Sequence, residues 1–298
     1  MAHAAAALSS VSAGTAPRGS TLGELLLLGG IWGASFLFMR IAAGNFGPFA
    51  LVAIRLSLGA LVLLPFSWRA LRGIDARLWL RLTGVAVVNT AVPFLLFAWA
   101  SQRAPAAIAA TTNSTTVLFA AVSAWLLYGE RIRGRRTLGL ISGFVGVVVL
   151  ASGKTGGASV WPAVCAGTAG GLLYGAGANL SGQYLIPRLP PAAIAAATLS
   201  CSALLVAPLA WWTWPTAPIP AASWFSAVCL GWACTGMAYL LYYRIMGRIG
   251  PAGVTTVTYL IPLFGVLWAW ALLGEPLTLN VALAGALILG GVALGQRR

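Results

Sequence analysis

Ten long apolar runs, separated by short polar or glycine- and proline-containing breaks, fill the chain from residue 22 to residue 295. A helix that crosses the hydrocarbon core of a bilayer needs about 20 apolar residues. The breaks include Gly47-Pro48 and Gly250-Pro251, dipeptides typical of turns. The pattern therefore predicts an all-α membrane fold of ten transmembrane helices, over 22–43, 49–67, 78–100, 106–128, 137–153, 160–182, 191–212, 222–246, 251–273 and 277–295.

The chain repeats itself at about half its length. The segment AWLLYGERIRGRRTLGLISGFVGVVVL (124–150) resembles AWALLGEPLTLNVALAGALILGGVAL (269–294), and Glu130 and Glu275 stand at equivalent Gly-Glu corners. We therefore expect two five-helix repeats, 21–155 and 156–298. Because five is odd, the two repeats must cross the membrane in opposite directions, an inverted arrangement typical of transporters.

The basic residues predict the orientation. If the N-terminus is cytoplasmic, fourteen of the eighteen lysines and arginines fall on the cytoplasmic side. The opposite side receives only Arg40, Arg103 and Lys154. Since cytoplasmic loops are enriched in these residues, we expect both termini in the cytoplasm. The low-complexity residues 1–20 are predicted to form a disordered cytoplasmic tail.

Composition excludes several classes of function. The chain is 60% hydrophobic and 7% charged, whereas soluble domains carry about 25% charged residues. The net charge of +14 could indicate nucleic-acid binding, but the arginines lie in short loops, so we expect no nucleic-acid partner. The four cysteines show no CxxC spacing, so we expect no metal site and no cofactor.

Titratable groups are scarce inside the predicted helices. The four carboxylates, Glu24, Asp75, Glu130 and Glu275, lie at predicted helix ends or in loops, and His3 lies in the tail. Proton-driven transporters usually place such a group inside the bundle, so we predict transport without a buried carboxylate proton relay. Acid–base and nucleophilic catalysis need the same groups, which argues against an enzyme.

Polar and aromatic residues recur at helical spacing and so share helix faces. Such faces avoid lipid and should line a cavity; the alternative is hydrogen bonding between helices. Pro93 also leaves the carbonyl of Asn89 without its usual donor. The candidate substrate-binding residues are Trp32, Ser35, Asn89, Pro93, Asn113, Thr116, Tyr174, Tyr239, Tyr242, Thr258, Tyr259 and Pro262, with Met39, Thr235 and Thr255 on the same faces.

Arg55 is the one charged residue deep within a predicted helix. It could be the counter-charge for a substrate carboxylate. The alternative is a structural arginine that reaches the interface or caps carbonyls of a neighbouring helix.

Two other patterns concern lipid and helix packing. The basic corner of Arg131, Arg133, Arg135 and Arg136 is expected to set topology and to contact anionic lipid. Glycine ladders, such as Gly167, Gly171 and Gly175, predict close helix packing within one chain. A dimer seam or a sliding surface is the alternative, so a monomer and a homodimer both remain open.

The segments IWGASFLFMRIA (31–42), ALVAIRLSLGALVLLPF (50–66), the helix starts PAAIAA and PAGVTT, and the corners LYGE and LLGE resemble the EamA family of the drug/metabolite transporter superfamily. The resemblance implies a multi-pass exporter of the inner (cytoplasmic) membrane with one central cavity. It extends to YddG-like aromatic amino-acid exporters. The family often has a proline before both corners; here Pro262 supplies the second, whereas Val117 occupies the first position.

These observations predict a transporter that exports small amphiphilic molecules, foremost hydrophobic or aromatic amino acids, by alternating access at a central cavity. The alternatives are a drug or nucleotide-sugar transporter on the same fold, and a non-transporting membrane scaffold or channel.

Overall fold

The described part of each apolar run is largely helical in the computed structural model, which describes residues 19–129, 134–155, 158–254 and 257–296. The first half comprises α1 (Gly19–Leu71), α2 (Ala76–Ala86), the π-helix π1 (Val87–Ala91), α3 (Val92–Arg103), α4 (Ala106–Asn113), α5 (Thr115–Tyr128) and α6 (Arg135–Ala151). The second half comprises α7 (Trp161–Tyr184), α8 (Pro191–Trp212), α9 (Ala221–Val228), the π-helix π2 (Cys229–Met237), α10 (Ala238–Val254), α11 (Val257–Leu273) and α12 (Leu279–Gln296).

Several helices are long and apolar enough to cross a membrane. In the described ranges, five segments meet that standard: Thr21–Leu71, Ala76–Arg103, Ala106–Tyr128, Pro191–Trp212 and Ala221–Ile249. Three shorter apolar helices accompany them: Thr137–Ala151, Val257–Leu273 and Leu279–Leu294. Large apolar side chains face outward, with Trp211 86% and Trp212 88% exposed. A surface of this kind fits lipid rather than water.

The breaks between helices follow backbone geometry that the sequence indicates. α1 continues through the first predicted break but kinks at Gly47 (φ 73°), so that it has two legs. Gly129 (φ 68°) and Gly274 (φ 65°) end α5 and α11 in the left-handed region. Glycine adopts this conformation without steric cost, and these two glycines open the two Gly-Glu corners.

Three details differ from the predicted pattern. A short antiparallel pair, β1 (Lys154–Thr155) and β2 (Ala158–Ser159), joins the halves, so the fold is not purely helical. The run 106–128 is divided at Ser114 into α4 and α5. The predicted break at Gly250-Pro251 is wrong, because α10 continues helically to Val254.

Some predictions fall on residues that the structure does not describe. The tail lies outside the described residues as far as residue 18, and so do Glu130, Arg131, Arg133 and Thr255.

Matched glycines build the contact between the two halves. A Cβ on Gly33 of α1 would lie 2.6 Å from Phe264 Cβ and 2.8 Å from Gly265 N of α11. A Cβ on Gly175 of α7 would lie 2.6 Å from Ala120 N and 2.7 Å from Thr116 O of α5. Both pairs of helices can approach this closely only because these positions lack side chains.

The two crossings are equivalent. Gly29 of α1 meets Leu260, as Gly171 of α7 meets Thr115. Thr115 and Leu260 stand 145 residues apart, the same separation as the two Gly-Glu corners. Reciprocal contacts of this kind are what a two-fold axis produces. The contacts between the two halves are therefore reciprocal.

A second close contact joins α6 to α12. Ser142 Oγ donates to the Leu287 carbonyl at 2.8 Å, and these two residues are themselves 145 positions apart. Gly291 approaches the Gly139 carbonyl. The glycine ladders of α6, α7 and α12 therefore pack helices within a single chain, which is the first of the interpretations given above.

We predict that Gly175→Ala destabilises the fold, because the added methyl would meet backbone atoms of α5 that cannot move away independently. Overpacking of this kind costs about 1–3 kcal/mol. Gly182→Ala, in the same helix but with nothing within 4 Å of its Cβ position, is the matched control. Thermal unfolding in detergent should show a lower midpoint for Gly175→Ala only; equal midpoints for both variants would refute the crossing.

Candidate functional site

Both halves carry a π-helix at equivalent places in the bundle. π1 precedes Pro93 and contains Asn89, and π2 contains Thr235. Pro93 cannot donate the backbone hydrogen bond that an α-helix requires, which explains π1. π2 contains no proline; there, Thr235 Oγ1 donates to the Leu230 carbonyl at 2.9 Å. Such local widening of a helix is frequent at functional sites.

Arg55 is buried in the second leg of α1, with 8% of the residue exposed. Its Nε donates to Thr235 Oγ1 at 3.0 Å, and one terminal nitrogen contacts Met39 Sδ at 3.7 Å. The guanidinium also lies 3.9 Å above the centre of the Phe94 ring. In the described ranges, no carboxylate lies within ion-pair distance of Arg55.

Close backbone packing fixes the position of this arginine. A Cβ on Gly59 would lie 2.6 Å from Thr235 Cγ2, and a Cβ on Gly231 would lie 3.2 Å from Arg55 Cα. The second leg of α1 is thus pressed against π2, which is why the guanidinium reaches Thr235.

Aromatic side chains from both halves lie near the arginine: Phe94 contacts it, and Tyr174 and Tyr239 are its electrostatic neighbours. Trp32 contacts Tyr242 (ring centres 5.4 Å apart) and Tyr239 (6.2 Å). Tyr239 stacks on Tyr243 at 5.9 Å, and Phe94 lies 6.5 Å from Tyr174. We call these residues, together with Arg55, Met39 and Thr235, the central cluster.

The central cluster unites several of the predicted site residues: Trp32, Arg55, Tyr174, Tyr239 and Tyr242. Met39 and Thr235, predicted to share their helix faces, also belong to it. Phe94 and Tyr243 were missed, since neither lies on a predicted polar face. Phe94 directly follows Pro93, which is the one sequence signal that could have indicated it.

The remaining candidates lie around this cluster or on other contacts. Ser35 is buried on α1 and lies beside the thiol of Cys234 in π2. Asn89 packs against Gly177 of α7. Thr116 lies on the contact of α5 with α7, and its buried Oγ1 is unpartnered within the described ranges. Asn113 ends α4, whereas Thr258, Tyr259 and Pro262 lie on α11.

The rings of the central cluster contact one another. Two open cavities of the structure lie elsewhere: one of about 330 Å³ on the lateral surface near Phe49, Leu95 and Trp99, and one of about 580 Å³ at an arginine-rich end of the helices. Contacts between the rings of Trp32, Tyr239 and Tyr242 join the first half of the chain to the second in this cluster.

Polar contacts tie one end of the bundle together. Glu275 accepts hydrogen bonds from the backbone nitrogens of Ala106 (2.9 Å) and Ala107 (3.3 Å), at the start of α4. Arg40 lies 3.8 Å from the same carboxylate and donates to the Ser101 carbonyl at 3.0 Å. A carboxylate at a helix N-terminus is favourable because it pairs with unsatisfied N–H groups.

Ion pairs join the two halves at the opposite end. Glu24 pairs there with Arg248 (2.9 Å) and Arg244 (3.5 Å), whose side chains are largely exposed. Exposed ion pairs stabilise by only about 0–1 kcal/mol. Asp75 caps α2 by accepting from Leu78 N at 2.7 Å. These three carboxylates all lie at helix ends, and in the described ranges no three His, Cys, Asp or Glu side chains gather as metal ligands would.

Comparison with known proteins gives a consistent result. The profile of the EamA-like transporter family matches residues 21–152 and again 161–295. An uncharacterized transporter of Archaeoglobus fulgidus is 23% identical, over 89% of this chain and 93% of that protein. A probable terminal-alkyne amino-acid exporter of Streptantibioticus cattleyicolor is 25% identical, over 90% and 92%. A crystal structure with 22% identity superimposes with a TM-score of 0.64, covering 94% of this chain and 98% of that one.

Proposed function

Because the chain belongs to the EamA-like transporter family, and is therefore a multi-pass membrane transporter and not an enzyme, we propose that it exports amino acids with hydrophobic or aromatic side chains. The central cluster is the proposed binding site. The observation that carries this proposal is the guanidinium of Arg55, buried among aromatic rings with no carboxylate within ion-pair distance in the described ranges.

An unpaired buried charge is costly. Breaking a buried ion pair by removing one partner typically destabilises a protein by about 3–5 kcal/mol. The hydroxyl of Thr235, the Met39 sulfur and the Phe94 ring solvate Arg55 in part. A substrate carboxylate would supply the missing negative charge, and bidentate arginine–carboxylate pairs are strong and directional.

The rings of the central cluster suit the rest of such a substrate. Trp32, Tyr239 and Tyr242 offer apolar faces, and the tyrosine hydroxyls can bond a polar amino group. Ser35 Oγ, buried beside the weakly bonding thiol of Cys234, offers a further hydrogen bond. Ligand sites commonly combine apolar walls with a few polar groups in this way. The relative named as a probable terminal-alkyne amino-acid exporter supports the same substrate class.

For the transport cycle we propose alternating access between the two halves, treated as five-helix repeats of opposite orientation over 21–155 and 156–298. The chain would then cross the inner membrane ten times, with both termini cytoplasmic. Rocking about the glycine crossings would separate the rings of the central cluster. The contacts of Glu275 join the halves at one end of the bundle, and the Glu24 ion pairs join them at the other.

We further propose that transport is driven by the solute gradient and not by a carboxylate proton relay, since Glu24, Asp75 and Glu275 lie at helix ends. In liposomes, Glu24→Gln, Asp75→Asn and Glu275→Gln should each leave any proton flux unchanged, with no fixed ratio of protons to solute in the unmodified protein. Stoichiometric proton antiport that one of these substitutions abolishes would contradict the proposal.

The Arg55 site is tested by counterflow of labelled phenylalanine in liposomes. Arg55→Gln removes the positive charge that would bind the substrate carboxylate. Because each 1.4 kcal/mol of lost binding free energy corresponds to a factor of ten, transport should fall by about tenfold or more. Arg55→Lys retains the charge without the planar fork and should give an intermediate rate.

Arg103→Gln is the matched control, because Arg103 is exposed and contacts Gln102 and the Trp99 carbonyl away from the central cluster. It should transport normally. Unchanged transport by a well-folded Arg55→Lys and Arg55→Gln would make Arg55 purely structural. Competition by nucleotide sugars but not by amino acids would instead favour the other substrate class, and non-saturating flux would indicate a channel.

A further inference from the structure

An arginine-lined cavity of about 580 Å³ lies between the two halves, at the end of the bundle opposite Arg40 and Glu275. Arg72, Arg77 and Arg81 come from the α1–α2 corner and from α2, whereas Arg188 comes from the connection between α7 and α8. Orientation in a membrane requires only that arginines accumulate in loops on one side. It does not require residues more than 100 positions apart to line one concave surface.

The charges in this cavity are unbalanced. Asp75 is the one carboxylate among its lining residues, and its Oδ1 already accepts from Leu78 N at 2.7 Å. In the described ranges, none of the four arginines forms an ion pair. The cavity therefore carries a net positive charge supplied by both halves of the chain.

Exposed aromatic side chains beside the cavity are typical of the depth of lipid headgroups. The Arg72 guanidinium lies 5.2 Å from the Trp68 ring and that of Arg81 lies 5.7 Å from the Tyr184 ring. Trp68, Trp79 and Tyr184 are exposed on the outer surface of the bundle, as are Leu80 and Ile186. Tryptophan and tyrosine concentrate at membrane–water interfaces, and the exposed apolar side chains beside them could contact acyl chains.

We propose that this cavity binds the phosphate headgroup of an anionic phospholipid. Arginine recognises phosphate through bidentate hydrogen bonds, and the volume lies within the range of small-molecule sites. Because Arg188 and the other three arginines belong to different halves, the lipid would bridge them at the end where the ion pairs of Glu24 are exposed. The proposal does not depend on which solute is transported.

The test compares phosphatidylglycerol with phosphatidylcholine of identical acyl chains, added to the purified protein in neutral detergent. Phosphatidylglycerol should raise the midpoint of thermal unfolding, and phosphatidylcholine should raise it much less. A hydrogen bond to a charged group contributes about 1.5–3 kcal/mol, so Arg81→Gln and Arg188→Gln should each weaken the apparent affinity at least about tenfold.

Arg69→Gln is the control, since Arg69 lies in the last turn of α1 and does not line the cavity. It should bind phosphatidylglycerol as the unmodified protein does. Equal weakening by Arg69→Gln and Arg188→Gln would overturn the proposal, because it would indicate attraction by overall charge.

Soluble glycerol phosphate separates a lipid from a free phosphate. It should produce no shift at the lipid concentration used, whereas an equal shift would overturn the assignment to lipid. If Arg188→Gln fails to fold, Arg188→Lys replaces it, and phosphatidylglycerol adducts are counted by native mass spectrometry. Adducts retained on Arg188→Lys and Arg69→Gln but lost on Arg81→Gln would support the site. Equal adduct numbers on all three variants would contradict it.

Discussion

Arg55 brings a full positive charge into the interior of a helical membrane bundle, and that charge must be compensated there. Water and lipid headgroups do not reach a buried side chain, so the protein itself must supply the compensation. In this structure a hydroxyl, a thioether and an aromatic ring supply it. Each is neutral, which leaves the site with a positive potential that an anionic group can satisfy. The family's transport function gives that potential a direct use.

The rest of the fold can be understood as the means of placing neutral groups around this charge. Gly59 and Gly231 allow α1 and π2 to approach until Thr235 reaches the guanidinium. Gly33 allows α1, which carries Trp32, to approach α11, and Gly175 allows α7, which carries Tyr174, to approach α5. These crossings are equivalent in the two halves, and both halves contribute aromatic side chains to the central cluster. A transporter needs two conformations of similar energy, and two nearly equivalent halves are well suited to provide them.

Sequence patterns predicted the helices well because apolar run length is a direct consequence of bilayer thickness. Gly250-Pro251 shows the limit of that reasoning, since the dipeptide resembles a break, yet α10 continues through it. Arg55, Trp32 and Tyr239 could be identified from the scarcity of charge and from helical spacing. Phe94 and Tyr243 could not, because an aromatic residue in an apolar helix has no distinguishing signal until its neighbours are known.

The distances between the rings of the central cluster could not be predicted from the sequence either. Periodicity indicates which residues face inward, but the distance between opposing faces depends on the glycines of other helices. Gly177 against Asn89 and Gly265 against Ala110 are examples. Whether inward-facing rings enclose a cavity or touch one another is decided by such contacts, which join positions far apart in the chain.

The claim that Arg55 awaits a substrate carboxylate is tested most directly by equilibrium binding to the unmodified protein. Phenylalanine should be compared with phenylalanine amide, which keeps the ring and the amino group but lacks the negative charge. A charge-assisted hydrogen bond contributes about 1.5–3 kcal/mol, so the amide should bind at least about tenfold more weakly. Equal affinities for the two ligands would contradict the account.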